Sequence, residues 1–210
     1  MSCILNIETS TDVCSVSVSQ DGACIFSQED HDGPNHAVKL GTFVDEALSF
    51  ADSHAIPLDA VAVSCGPGSY TGLRIGASMA KGICFGQDLK LIAVPTLELM
   101  AVPVLLREEV EEGALLCPMI DARRMEVYSA VYDRALHEVR GIQADVVDAE
   151  KCMEVINHPN ARLIKGVEPL AKWMFPIAER RIAQEKYEDV AYFVPFYLKD
   201  FVAHQPKKLL

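Results

Sequence analysis

A chain of 210 residues, half of them hydrophobic, is long enough to build a substantial core as one large domain or two small ones, and too apolar to be disordered. Its formal net charge of -11 excludes a primary nucleic-acid surface, because neutralising phosphates takes clustered Lys and Arg, and the strongest basic run is Lys207-Lys208. No stretch approaches the length of a membrane span, and the opening MSCILNIETS lacks the basic region of a signal peptide.

The seven cysteines are scattered, odd in number and without a CxxC pair, which points to reduced core residues of a cytoplasmic protein rather than to zinc or disulfides. Residues 3–7, CILNI, read as a strand ending at the polar loop Glu8-Thr9-Ser10-Thr11. Cys14 to Ser19 alternates apolar and hydroxyl residues, and Gln20-Asp21-Gly22 turns the chain into ACIFSQ, a hairpin. Asn35 is placed to cap a helix whose apolar positions Ala37, Leu40, Val44, Ala47, Leu48 and Ala51 follow a period near 3.6 residues. Phe43 and Phe50 fall off that stripe and predict a second apolar surface.

A strand over Asp59–Cys65 leads into SCGPGSYTGLRIGASMAKG, where Gly66, Gly68 and Gly72 join a strand end to a helix start. Helix N-termini bind anions, and Thr9, Ser10, Thr11, Gly66, Gly68 and Ser69 are the candidate phosphate contacts. The stretch is neither a Walker loop nor a GxGxxG fingerprint, so a turn that merely redirects the chain is the favoured reading over a phosphate cradle. In the following helix Gly72, Gly76, Ala80 and Cys84 recur every fourth residue and leave one face nearly bare. Glycine inside a helix costs up to about 1 kcal/mol relative to alanine, and close packing compensates. The expected neighbour is the helix from Asn35 or another subunit.

A strand over Leu89–Val94 and a helix capped by Thr96 complete the first half. Leu115–Ile120, the polar loop Asp121–Arg124 and Glu126–Tyr132 then repeat the opening pattern of strand, acidic loop and hairpin, which suggests duplication, although any β-rich chain offers such pairs. Further on we expect a helix capped near Asp148, a strand at Arg162–Lys165, a helix around Pro169–Phe175, and an aromatic segment from Tyr192 packing back on the body. Two α/β lobes, 1–100 and 101–210, accommodate this order. Catalytic patterns are missing: there is no HExxH or GxSxG, and the six histidines show no ligand spacing.

ILNIETSTDVCSVSVSQDG, AVSCGPGSYTGLRIGASMAKGICFG, AVPTLELMA and IDARRMEVYSAVYD resemble the TsaB (YeaZ) family, and the likeness returns at Pro195-Phe-Tyr-Leu-Lys199. The resemblance implies an α/β fold of two duplicated actin-like lobes (ASKHA, ribonuclease H-like), with mixed sheets flanked by helices. It also implies a glycoprotease-like ancestry and a place in making the threonylcarbamoyladenosine beside the anticodon of tRNAs that read codons starting with A. In that scheme TsaC makes threonylcarbamoyl-adenylate and TsaD transfers the threonylcarbamoyl group to tRNA. TsaB holds and activates TsaD without catalysing, and the ATPase TsaE joins the assembly.

No cofactor of its own is implied; ATP and a metal ion belong to the partners, and tRNA is met only through the complex. The implied docking residues, for TsaD or for a second copy when alone, are His36, Lys39, Leu40, Phe43, Tyr70, Thr71, Gly72, Leu73, Ile75, Gly76, Met79 and Ala80. Where TsaD carries a metal-binding His-x-x-x-His, this chain aligns Thr96 and Met100, which cannot replace two imidazoles. Lys199 departs from the family's Arg and weakens any bidentate contact there. The rival expectations are a glycoprotease-like peptidase and an ATP-binding kinase of the same fold, for which Thr9, Ser10 and Gly66 would hold phosphate.

Overall fold

The structure, a computed structural model, describes residues 2–122, 125–146 and 156–198. The helix expected near Asp148, Cys152 and the departure at Lys199 lie outside the described residues. The first sheet contains β1 (Cys3–Glu8), β2 (Cys14–Gln20), β3 (Ala23–Asp30), β4 (Ala60–Gly66) and β5 (Lys90–Pro95) in the order β3-β2-β1-β4-β5. The second contains β6 (Leu115–Asp121), β7 (Glu126–Tyr132), β8 (Glu138–Val146) and β9 (Ala161–Ile164) in the order β8-β7-β6-β9. β1 pairs antiparallel with β2 and parallel with β4; β6 pairs antiparallel with β7 and parallel with β9. The duplication expected from the two hairpins is therefore present as a repeated strand order and pairing.

β1 and β4 read as continuous apolar runs because helices cover both faces of the sheet. On one face Leu5, Ile7, Val61 and Val63 pack under α1 (His36–Ser53) and α2 (Tyr70–Gln87) through Leu40, Val44, Ala47, Ala77 and Ala80. On the other, Ile4, Ala60, Ala62, Ile92 and Val94 meet Leu99 and Val102 of α3 (Thr96–Arg107) and, from later in the chain, Met174, Ile177 and Ala178. α3 also gives Leu97, Met100, Ala101 and Val104 to the second sheet, so residue 100 falls inside a helix shared by both lobes.

Three local expectations shift. Asn35 does precede α1, but its amide donates to Asp30 at 3.4 Å instead of capping the helix. Thr96 is the first residue of α3 rather than its cap. The expected helix around Pro169–Phe175 is a single 3-10 turn, Ala171–Trp173, and the helix proper is α4 (Phe175–Ala183). Pro176 explains the displacement: a proline is well suited to a helix's first turn and poorly suited to its interior. The Glu188 N-H donates to the Leu91 carbonyl at 2.8 Å along the β5 edge, and in the aromatic segment from Tyr192, expected to pack back, Phe193 is buried in the core while Tyr192 stays exposed.

Candidate functional site

The loop after β1 and the start of α2 close on each other. Ser69 caps α2, its Oγ accepting from the Gly72 N-H at 3.2 Å, and its own N-H donates to the Ser10 carbonyl at 2.7 Å. Thr9 Oγ1 donates to the Gly72 carbonyl at 2.8 Å, and the Thr9 N-H donates to Ser64 Oγ at 3.3 Å. A Cβ on Gly68 would overlap the Ser10 carbonyl, one on Gly72 the Thr9 carbonyl, and one on Gly76 the Thr9 hydroxyl.

The close neighbour of the bare helix face is thus this chain's own β1 loop. That corrects the expectation of another helix or subunit there. Gly72, Leu73, Gly76 and Ala80 are buried and turned toward the sheet. His36 and Leu40 are buried as well, His36 Nε2 lying 3.2 Å from the Val13 carbonyl. The six candidate phosphate contacts do gather at this junction, but Thr9, Ser10 and Ser69 are bonded to one another's elements, and Thr11 Oγ1 accepts from the Val13 N-H at 3.4 Å.

The opposite face of α2 is open. Ser78, Gly82 and Gly86 recur every fourth residue, two positions after Gly76, Ala80 and Cys84; two residues are about 200° of helix rotation, so the stripe lies across the cylinder from the first. Added Cβ atoms on Gly82, Gly86 or Gly41 would meet nothing within 4 Å. With Ala37, Tyr70, Thr71, Arg74, Ile75, Met79 and Ile83 this stripe forms a mainly apolar groove of about 930 Å³. Tyr70, Thr71, Ile75 and Met79 of the expected docking set line it; Lys39 is exposed and Phe43 half-buried on α1, outside the lining. Arg74, Ser78, Gly82, Ile83 and Gly86 also line it and were not in the expected docking set, although the four-residue spacing of the small residues was the available signal.

The chain matches, over residues 31–183, the family described as TsaD: tRNA N6-adenosine threonylcarbamoyltransferase. The chain belongs to the TsaD family. Within it the likeness runs to TsaB proteins: it is 28% identical to the tRNA threonylcarbamoyladenosine biosynthesis protein TsaB of Escherichia coli, over 95% of this chain and 96% of that one. It is 32% identical to TsaB of Bacillus subtilis over 61% of this chain and 54% of that one, so the match spans about half of that relative. YeaZ from Pseudomonas aeruginosa superposes with a TM-score of 0.76 at 24% identity, covering 94% of this chain and all (100%) of that one. The fold is accordingly the α/β architecture of YeaZ, two mixed sheets of repeated strand order flanked by helices.

In this TsaB-type chain Thr96 and Met100 are both buried, and Met100 packs in the core of the second sheet. Among the described residues no three His, Cys, Asp or Glu side chains converge on a point, and no helix is long and apolar enough to cross a membrane. Burial pushes the Cys14 and Cys65 thiols up to about 12 and those of Cys3, Cys84 and Cys117 up to about 11, which holds them as neutral thiols and not as nucleophiles.

One buried carboxyl shapes the loop. Glu8 is fully enclosed, and burial raises it from the ordinary 4.5 to about 7, only partly offset by bonds from Ser10, Ser64 and Thr9. Below the lower value both folded and unfolded chains carry the proton; between the two values only the folded chain keeps it. Stability contributed by the neutral form therefore falls as pH rises through this window, by about 3 kcal/mol at about 1.4 kcal/mol per pH unit. Glu8→Gln keeps an acceptor for the Ser10 N-H and cannot ionise. Urea unfolding at pH 5 and pH 8 should show the variant gaining on the parent chain at the higher pH, whereas parallel changes would contradict the assignment.

Proposed function

We propose that this chain is a non-catalytic accessory subunit that docks on a TsaD-type threonylcarbamoyltransferase through the outer face of α1 and α2 and supports transfer of threonylcarbamoyl to tRNA. The observation that carries the reading is the groove over Ser78, Gly82 and Gly86. Its small residues let a partner helix approach closely, while Ile75, Met79 and Ile83 supply apolar area to bury. Family membership and the TsaB relatives support the pathway, since both carry threonylcarbamoyladenosine chemistry in their names. The buried hydroxyl and thioether at Thr96 and Met100 support a role without metal ligands at these positions.

The charge of -11 supports a division of labour in which the transferase makes the tRNA contact. ATP and a metal ion are used by the partners, a TsaE-type ATPase joins the pair, and the assembly works in the cytoplasm. Without the transferase, two copies of this chain pair through the same face. Light scattering of an equimolar mixture with the transferase of the same organism tests the docking. A heterodimer mass is expected; two species eluting at their separate masses would overturn it.

A further inference from the structure

The C-terminal strap, residues 188–197, runs from the β5 edge across α2 to the mouth of the groove. Lys81 of α2 fastens it, its Nζ donating to the carbonyls of Ala191 at 2.9 Å and Phe193 at 3.1 Å. Phe193 is buried in the core under α1 and α2. The Phe196 N-H then donates to the Cys65 carbonyl at 2.7 Å. A Cβ on Gly66 would lie 2.6 Å from the Phe196 carbonyl, so the strap crosses Gly66 at a distance that only glycine allows, and the Gly66 φ of +108° suits glycine as well. This crossing delivers Tyr197 to Tyr70, with ring centroids 4.8 Å apart.

Tyr70 lines the groove at the first turn of α2 and is held from its other end too. Arg74, one turn on and also in the lining, donates from Nη1 to the Tyr70 hydroxyl at 2.9 Å and sets its guanidinium 5.4 Å from the ring centroid. We infer that Tyr197 is a positioning residue for docking. Pressed against Tyr70, it fixes one wall of the groove before the partner arrives, so the docking surface is built from the strap as well as the two helices. The inference rests on the reading of the groove as the docking surface. Its physical basis is preorganisation: a side chain already ordered loses less freedom on association. Loss of an aromatic pair corresponds to a weakening of up to about tenfold.

Isothermal titration of the transferase with four forms of the full chain tests this. Tyr197→Ala should weaken association by about tenfold, and Tyr197→Phe, which keeps the ring, should restore it. Tyr192→Ala, on the same strap but 83% exposed and outside the groove lining, should bind as the parent chain does. A merely structural role would not separate Tyr197→Ala from Tyr192→Ala in affinity at equal melting temperature. If Tyr197→Ala does not fold, Lys81→Met, which unfastens the strap outside the groove, should weaken binding in the same direction. Parent-like affinity of the folded Tyr197→Ala, or of Lys81→Met in its place, would overturn the inference while leaving the docking face intact. Absence of any heat from the parent chain would instead remove the docking reading, and this inference with it.

Discussion

Gly72→Ala should destabilise the folded chain by about 3 kcal/mol or more, while Gly82→Ala and Gly86→Ala, in the same helix, should each stabilise it by up to about 1 kcal/mol. The opposite signs follow from what an added methyl meets. At Gly72 it would overlap the Thr9 carbonyl, a backbone atom that cannot rotate away and that belongs to the loop bonded to Ser69 and Ser64. Moving that loop also disturbs the bond from Thr9 Oγ1 to the Gly72 carbonyl and exposes the enclosed Glu8 neighbourhood. At Gly82 and Gly86 the methyl projects into open space, so only the helix propensity changes. Urea unfolding of the three variants checks the contrast; a stable Gly72→Ala would mean that the loop yields and that the inner stripe is not a close-packing device.

Gly82→Arg should leave the chain folded and weaken association with the transferase by at least about a hundredfold. Gly82 sits in the middle of the groove's small stripe with nothing within 4 Å of its Cβ, so the substitution has room in the free chain. In a complex the same side chain would occupy the space of the approaching helix and bring a charge into apolar surroundings, where an unpaired charge is costly. Sedimentation equilibrium of the variant with the transferase reads the effect. Parent-like affinity would move the docking face elsewhere.

The strands and the duplication were legible because their signals are local. β2 shows its alternation in CSVSVSQ, and the two hairpins share one order of apolar run, polar loop and turn. The small face of α2 was legible as a face but not in its direction. Spacing reports that Gly72, Gly76 and Ala80 align on one side; it does not report that the neighbour is the Thr9 carbonyl, 63 residues earlier in the chain. Of the docking residues that the resemblance implied, Gly72, Leu73, Gly76 and Ala80 are buried, whereas Ser78, Gly82 and Gly86, which were not among them, are open. The same limit hid the partners of the aromatic segment, though not its packing back on the body: nothing near Phe196 or Tyr197 in sequence announces Gly66 or Tyr70, because both contacts are closed by the fold. The placement of α4 was missed for a local reason, since the expected helix stopped at Phe175, where the observed helix begins with Pro176 in its first turn.

The central claim is that this chain supports threonylcarbamoyl transfer by docking through the outer face of α2. Its most direct test is threonine incorporation into tRNA by the reconstituted TsaC-, TsaD- and TsaE-type proteins of the same organism with ATP, run with the parent chain, with Gly82→Arg, and without either. Incorporation that requires the parent chain and falls to the level of its omission with folded Gly82→Arg is the predicted result. Incorporation indifferent to the chain, or fully supported by Gly82→Arg, would contradict it.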